Sequence, residues 1–285
     1  MNYNKKLLVW GALGAGAAGL YLLGGVSDEL SVSYQTLITE KLTGPVRIAL
    51  VTDLHSVIHG GDQRPLIELI AAHRPDLILL GGDIVDDILP PRGSRLLLEG
   101  LRDTAPMYYV TGNHEFRSRR IGAIRAFLRR RGVVILSDEY RVVRAAGQQL
   151  LLAGVEDAHK RLYEDPLYSQ RRSMERAFGG LTRQGLYKLL LAHRPEHIHL
   201  YRRYPFDLVL CGHAHGGQVR IPRLLENGLY ASWQVFPRYT SGRYDLEGTT
   251  LVVSRGLAVY PLRPRVYNRP EVVIVTLAPP GAQAD

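Results

Sequence analysis

The sequence predicts an α/β domain built on mostly parallel strands, preceded by a separate apolar segment. Apolar runs that read as strands alternate with stretches of helical spacing, the pattern of βαβ units. The composition is globular, with 46% hydrophobic and 22% charged residues in a chain of 285. That length suits one large α/β domain or two small ones. Residues 7–26, LLVWGALGAGAAGLYLLGGV, carry no charge at all and stand apart from the rest.

Twenty apolar residues suffice to cross a ~30 Å hydrocarbon core as a helix. Gly11, Gly14, Gly16 and Gly19 are tolerated better in a membrane helix than in a soluble one. Residues 1–30 are therefore expected to anchor the chain through 7–26, without cleavage. A cleaved signal sequence and a buried soluble helix are the alternatives. Lys5 and Lys6 precede the span, and Asp28 and Glu29 follow it. This favours the N-terminus inside and the domain outside, on a vote of two lysines that a large basic domain could reverse.

Beyond the span, SVSYQTLITEKL reads as a strand leading into the domain. VRIALVTDLH is a continuous apolar run with a polar end, as expected of a strand buried on both faces. QRPLIELIAAHRP has helical spacing and stops at Pro75. DLILLGGDIVDD is a second buried strand, SRLLLEGLRD a helix, MYYVTGNHE a third strand and SRRIGAIRAFLRRRG an amphipathic helix. VVILSDEYRVVRAAGQQLLLAGVED contains a hairpin turning at AAGQQ. A polar, Arg-rich helical region follows at 165–180, then the buried strands YKLLLAHRPEH and FDLVLCGHAH. TTLVVSRG and EVVIVTLA close a segment rich in Gly, Pro and aromatic residues. With no repeat and no low-complexity linker, residues 31–278 are expected to form one domain and 279–285 a frayed tail.

The net charge is +9, and +7 remains once the first 26 residues are set aside. A basic surface favours anionic partners: phosphoesters, nucleic acid or acidic lipid headgroups. Cys211 is the only cysteine, which excludes an intrachain disulfide and a Cys-rich zinc site. Within FDLVLC it reads as a small buried hydrophobe.

Five apolar runs end abruptly in His, Asp or Asn. These are Asp53 and His55 in VTDLH, Asp83 in GGDIVDD, Asn113 and His114 in TGNHE, His193 in LLAHRPE, and His213 and His215 in GHAH. In an open α/β sheet the carboxyl ends of the strands face the crevice where ligands bind, so these residues converge in space. Burying Asp or His is costly unless the group is paired or coordinates a metal. Two divalent cations about 3.5–4 Å apart need a bridging ligand, which a carboxylate can be. Nitrogen and oxygen donors without thiolate suit manganese, iron or zinc.

The ordered motifs DLH, GD, GNHE, AH and GHAH resemble those of the calcineurin-like metallophosphoesterases, over roughly residues 46–277. GHAHGGQVRIP and VSRGLA…NRPEVVIVTL look more like the family's bacterial membrane-associated branch. The Thr common between the two histidines is Ala214 here. The resemblance implies a β-sandwich flanked by helices, in αββα layers. It implies one divalent metal ion held by Asp53, His55, Asp83 and His215, and a second held by Asp83, Asn113, His193 and His213. Asp83 would bridge them. Manganese is the expected metal, with iron, zinc and magnesium as alternatives. His114 would contact the phosphate and protonate the leaving oxygen, and a hydroxide between the metals would attack.

The expected substrate is a phosphodiester, pyrophosphate or phosphomonoester, lipid-linked or nucleotide-linked, met at a bacterial inner membrane on a side left open. Similar enzymes hydrolyse the pyrophosphate of a UDP-linked diacylated glucosamine. A nuclease is a rival that rests on basicity alone, and a non-catalytic binding scaffold is weaker still because every ligand position is intact.

Arg117, Arg119 and Arg120 are candidate substrate contacts, one turn past His114; a solvated basic helix face is the plainer reading. Asp86 and Asp87 read as exposed loop carboxylates rather than partners of the ligands. His59, His73, His159, His197 and His199 read as surface or structural.

Overall fold

A computed structural model describes residues 19, 24–231, 234–260 and 265–282. The anchor expected over 7–26 lies outside the described residues except at Gly19 and 24–26. Among the described residues no helix is long and apolar enough to cross a membrane.

Two six-stranded sheets stack face to face. The first holds β1 (Ser31–Ile38), β2 (Val46–Val51), β3 (Leu77–Leu80), β4 (Met107–Tyr109), β5 (Val134–Ile135) and a late strand, Glu271–Ala278. The second holds β6 (Glu139–Ala145), β7 (Gln148–Gly154), β8 (Tyr187–Leu191), β9 (Leu208–Cys211) and the strands Gly242–Leu246 and Thr249–Val253. Tyr230–Ala231 (β10) and Gln234–Val235 (β11) form a small ribbon, so these last two are β12 and β13 and the late strand is β14. The orders are β1-β14-β2-β3-β4-β5 and β12-β13-β9-β8-β7-β6. Most neighbours run parallel; β14 with β2, β12 with β13 and β6 with β7 are antiparallel.

Continuous apolar runs are what this stacking requires, because both faces of each central strand are covered. Ile48 and Leu50 of β2 point between the sheets with Leu189, Leu191, Leu208 and Leu210. Ala49 and Val51 point the other way, against Leu66, Ile70, Leu97, Leu98, Ile124 and Leu128 of the helices Arg64–Ala72, Arg92–Gly100 and Ile121–Arg129. Leu190 and Val209 face outward on the second sheet, toward Met174 and Phe178 of the helix Gln170–Phe178. Each fully buried Leu contributes roughly 1.5–3 kcal/mol.

The β6–β7 turn is Ala146-Gly147, both left-handed, at φ 47° and 75°. That geometry matches the twist of a two-residue hairpin loop. The strand expected over MYYVTGNHE stops at Tyr109, and a short helix already begins at Asn113. The Gly112 N–H donates to the Glu115 carboxylate at 2.9 Å, and this capping contact winds the segment up. Arg117 ends that short helix and so does not share the helix Ile121–Arg129, as the sequence suggested.

The ladders also orient the sandwich. β2, β3 and β4 run parallel, as do β8 and β9, so their carboxyl ends share one edge. β1 pairs parallel to β14, Ser31 opposite Glu271, while β14 runs antiparallel to β2 with Val273 opposite Leu50. The chain therefore enters β1 at the edge where β2 ends.

Candidate metal centre

All eight strand-end residues lie along this edge. Five are non-glycine residues with a left-handed backbone: Asp53 (φ 51°), His55 (47°), Asp83 (53°), His213 (67°) and His215 (46°). Each such residue costs on the order of 1–3 kcal/mol, and such strain gathers where surrounding structure must aim a side chain. The loops hold one another in place. Asp53 N–H donates to Gly82 O at 3.0 Å and His55 N–H to Asp83 O at 2.8 Å. His213 N–H donates to both Asp53 oxygens, at 2.9 and 3.1 Å. Two glycines make room for the carboxylates: a Cβ at Gly112 would sit 2.2 Å from Asp83 Oδ1, and one at Gly212 2.3 Å from Asp53 Oδ2.

The side chains form two groups that share Asp83. Asp83 Oδ2 lies 3.3 Å from His193 Nε2 and 3.5 Å from His55 Nε2. His213 Nδ1 and Asn113 Oδ1 stand 3.1 and 3.2 Å from His193 Nε2. His215 Nε2 lies 3.7 Å from Asp53 Oδ1. Asp53, His55 and His215 bring ligand atoms within 4.8 Å of one another, as do Asp83, His193 and His213. His213 and His215 thus fall into different groups. The device is a turn through two left-handed residues on either side of Ala214.

These atoms fit a cation. His193 Nδ1 faces Gly81 O at 2.8 Å and so carries a proton it donates there, leaving the Nε2 lone pair aimed at Asp83. His55 Nδ1 likewise faces Asp86 Oδ1 at 3.0 Å, and its buried Nε2 has no hydrogen-bond partner. Acceptors converging on acceptors need positive charge between them. Burial opposes a charge on His193, yet Asp83 lifts its pKa to about 10, so Nε2 binds a proton beside Asp83, and a metal ion at that place would displace it. His213 and His215 are pushed well below their usual range, first by burial and then by Arg194 and His55 respectively. Neutral imidazoles are what ligation requires.

Asp86 corrects the sequence reading: it is buried and bonds both His55 Nδ1 (3.0 Å) and His114 Nδ1 (3.1 Å). Asp87 is also a partner, reaching His114 Nδ1 at 2.6 Å and Arg117 Nε at 2.6 Å. Burial works against a charged His114, but Asp83, Asp86 and Asp87 raise it to about 9. Spacing alone could have flagged Asp86, three residues after Asp83 on the same loop. Asp86→Ala is expected to weaken metal binding about 10- to 100-fold by freeing the His55 ring, read by metal titration of the purified chain. Unchanged affinity would deny Asp86 that role.

Other partners were missed. Glu115 accepts from the N–H groups of Asp83, Ile84, Val85 and Gly112 at 2.7–3.0 Å; burial and Asp83 push its pKa up to about 7. Arg194 pairs with buried Asp157 at 2.6 Å and reaches His213 Nε2 at 3.0 Å. Asn268 donates to His215 O at 2.7 Å. Arg117 lies against His114 and Asp87, whereas Arg119 and Arg120 are exposed beyond it. Of the histidines without a motif, His59 is buried, and His73 bonds Tyr34 at 2.8 Å.

Residues 46–217 match the model of the calcineurin-like phosphoesterase family. The chain belongs to that family. The chain is 30% identical to phosphodiesterase YaeI of Escherichia coli, over 82% of each chain. It is also 30% identical to an uncharacterized metallophosphoesterase of Helicobacter pylori, over 84% of this chain and 62% of the relative's length. A transmembrane protein with metallophosphoesterase domain from Danio rerio is 26% identical, over 84% of this chain and 54% of the relative.

Proposed function

We propose that the chain is a membrane-anchored, metal-dependent phosphoester hydrolase with a dinuclear centre, acting on a phosphodiester, pyrophosphate or phosphomonoester. One observation carries the reading: Asp83 Oδ2 sits between two groups of buried, lone-pair-bearing ligands, at 3.5 Å from His55 and 3.3 Å from His193. Asp53, His55, Asp83 and His215 would hold one cation, and Asp83, Asn113, His193 and His213 the other. Manganese is the first candidate, on a donor set of nitrogen and oxygen. When bound, the cations supply an activated water and neutralise the phosphate charge that would repel it.

The chain's own groups supply the rest. His114 is partly exposed, and its Nδ1–H is held by Asp86 and Asp87. That leaves Nε2 turned toward Asp83, 4.0 Å away, at the mouth of the pocket. A protonated ring here can bind a phosphate oxygen and give its proton to the leaving group. Arg117, fixed by Asp87, places a second positive charge beside it. The apolar run at 7–26 supports membrane anchoring, as does the name of the Danio rerio relative.

His114→Ala is expected to slow hydrolysis of a soluble nitrophenyl phosphodiester about 10²- to 10⁴-fold while metal content is retained. Steady-state rates and metal analysis on the same sample check this. An unchanged rate would remove His114 from the chemistry.

A further inference from the structure

The mouth of the metal centre lies on the side of the domain where the apolar segment arrives. Val26 pairs with Val266, and Val266 in turn pairs with Val219, four residues past His215. Tyr267 N–H donates to Gly25 O at 2.6 Å. The end of the apolar run therefore lies against Val266 and Tyr267, and Val266 bridges it to the segment that follows His215. A membrane holding that run lies close to the mouth.

Exposed apolar side chains are concentrated on the same edge. The described residues include fourteen exposed large hydrophobics. Four of them, Tyr34, Ile38, Tyr140 and Val142, lie on the edge strands β1 and β6. Of the other ten, Leu162 lies on the short helix Lys160–Tyr163, Tyr230 and Val235 lie on β10 and β11, and the rest lie on the segment entering β1 or on loops that follow strand ends around the centre. Ile88 is 81% exposed and directly follows Asp87, which holds His114. Leu167 is 87% exposed on the loop after β7. Leu224 and Phe236, 79% and 68% exposed, lie on the long loop between His215 and β12. β12 begins opposite the end of β13, Gly242 against Val253, and Val253 lies opposite Cys211, so this loop leaves and returns on the side of the mouth. Arg223 and Arg238 are exposed on it, against one exposed acid, Glu226.

Water gains nothing from four large apolar tips around a polar pocket, and a soluble phosphoester offers nothing to cover them. A bilayer interface does, taking the apolar tips at the headgroup boundary and the arginines against anionic lipid. We propose that this rim rests on the membrane, with Ile88, Leu167, Leu224 and Phe236 dipping into the interface. The substrate is then a phosphoester borne by a membrane amphiphile, presented headgroup-first to the centre. The substrate half of this inference rests on the phosphoesterase reading; the membrane contact does not.

The test uses the full chain in phosphatidylcholine–phosphatidylglycerol vesicles. Buried Cys211 is shielded from labelling. A polarity-sensitive fluorophore is placed on Phe236→Cys, and for comparison on Ala146→Cys at the opposite edge. Lipids brominated in their acyl chains should quench the first label strongly and leave the second bright. Equal quenching at both positions, or none at Phe236→Cys, overturns the proposal. So does insensitivity to brominated lipid together with shielding that grows with protein concentration, which would assign the rim to a second copy of the chain.

The second arm compares substrates. Leu224→Glu/Phe236→Glu should lower hydrolysis of a vesicle-borne lipid phosphodiester at least about tenfold, with a soluble nitrophenyl phosphodiester unaffected. Equal loss on both substrates would place the loop's effect at the centre itself and contradict the proposal. If wild type hydrolysed neither substrate, the phosphoesterase reading would fail while the quenching result stood.

Discussion

Asp83→Ala is expected to lower phosphodiester hydrolysis at least about a thousandfold, or ~4 kcal/mol of barrier. The bound metal should fall from two ions per chain to at most one. Asp83 is the one carboxylate close to ligands of both groups, with His55 on one side and His193 on the other. Removing it leaves converging imidazole lone pairs with no shared anion to hold a cation pair. Burial opposes its charge, but His193 and His114 hold its pKa well below the usual carboxylate range, so it is ionised and ready to bridge. Metal analysis and initial rates on one preparation decide the matter. A variant that kept both metals and more than roughly a tenth of the rate would rule out a bridging role.

Glu115→Ala is expected to cost roughly 3–5 kcal/mol of stability, the scale seen when one partner of a buried charged network is removed. Four backbone N–H groups, of Asp83, Ile84, Val85 and Gly112, would lose their acceptor at a place where Glu115 is fully buried. Three of those amides belong to the loop that aims Asp83, so metal affinity should fall as well. Glu115→Gln keeps the shape and one carbonyl acceptor but turns an amide donor toward N–H donors, and should lose less. Urea midpoints of the three proteins test the order. A Glu115→Ala protein within about 1 kcal/mol of wild type would show that the loop holds itself.

Part of this centre was legible because its chemistry interrupts a simple pattern. An apolar strand that stops at Asp53 or His213 advertises a polar group at a buried position, and five such stops in order point to convergence. The pairing of strands was less legible. Runs such as VRIALV and LILL look alike whichever sheet they join, so alternation predicted parallel strands without showing that they divide between two sheets. The antiparallel placement of β14 between β1 and β2 left no local mark either. Asp86 was misread, and the hold of Glu115 on the Asp83 loop was passed over, because those partners lie 28–32 residues away in sequence. The turn at His213 and His215 was hidden for a different reason. Left-handed backbone at a non-glycine residue is imposed by surroundings, here the Asp53 carboxylate receiving the His213 N–H.

The central claim is a metal pair that drives phosphoester hydrolysis, and one titration tests it most directly. The full chain, stripped of metal by a chelator, is titrated with manganese while hydrolysis of a nitrophenyl phosphodiester is followed. We predict no activity in the stripped protein and recovery that saturates at two ions per chain. Activity that survives complete stripping, or a fully loaded protein that hydrolyses no phosphoester, would contradict it.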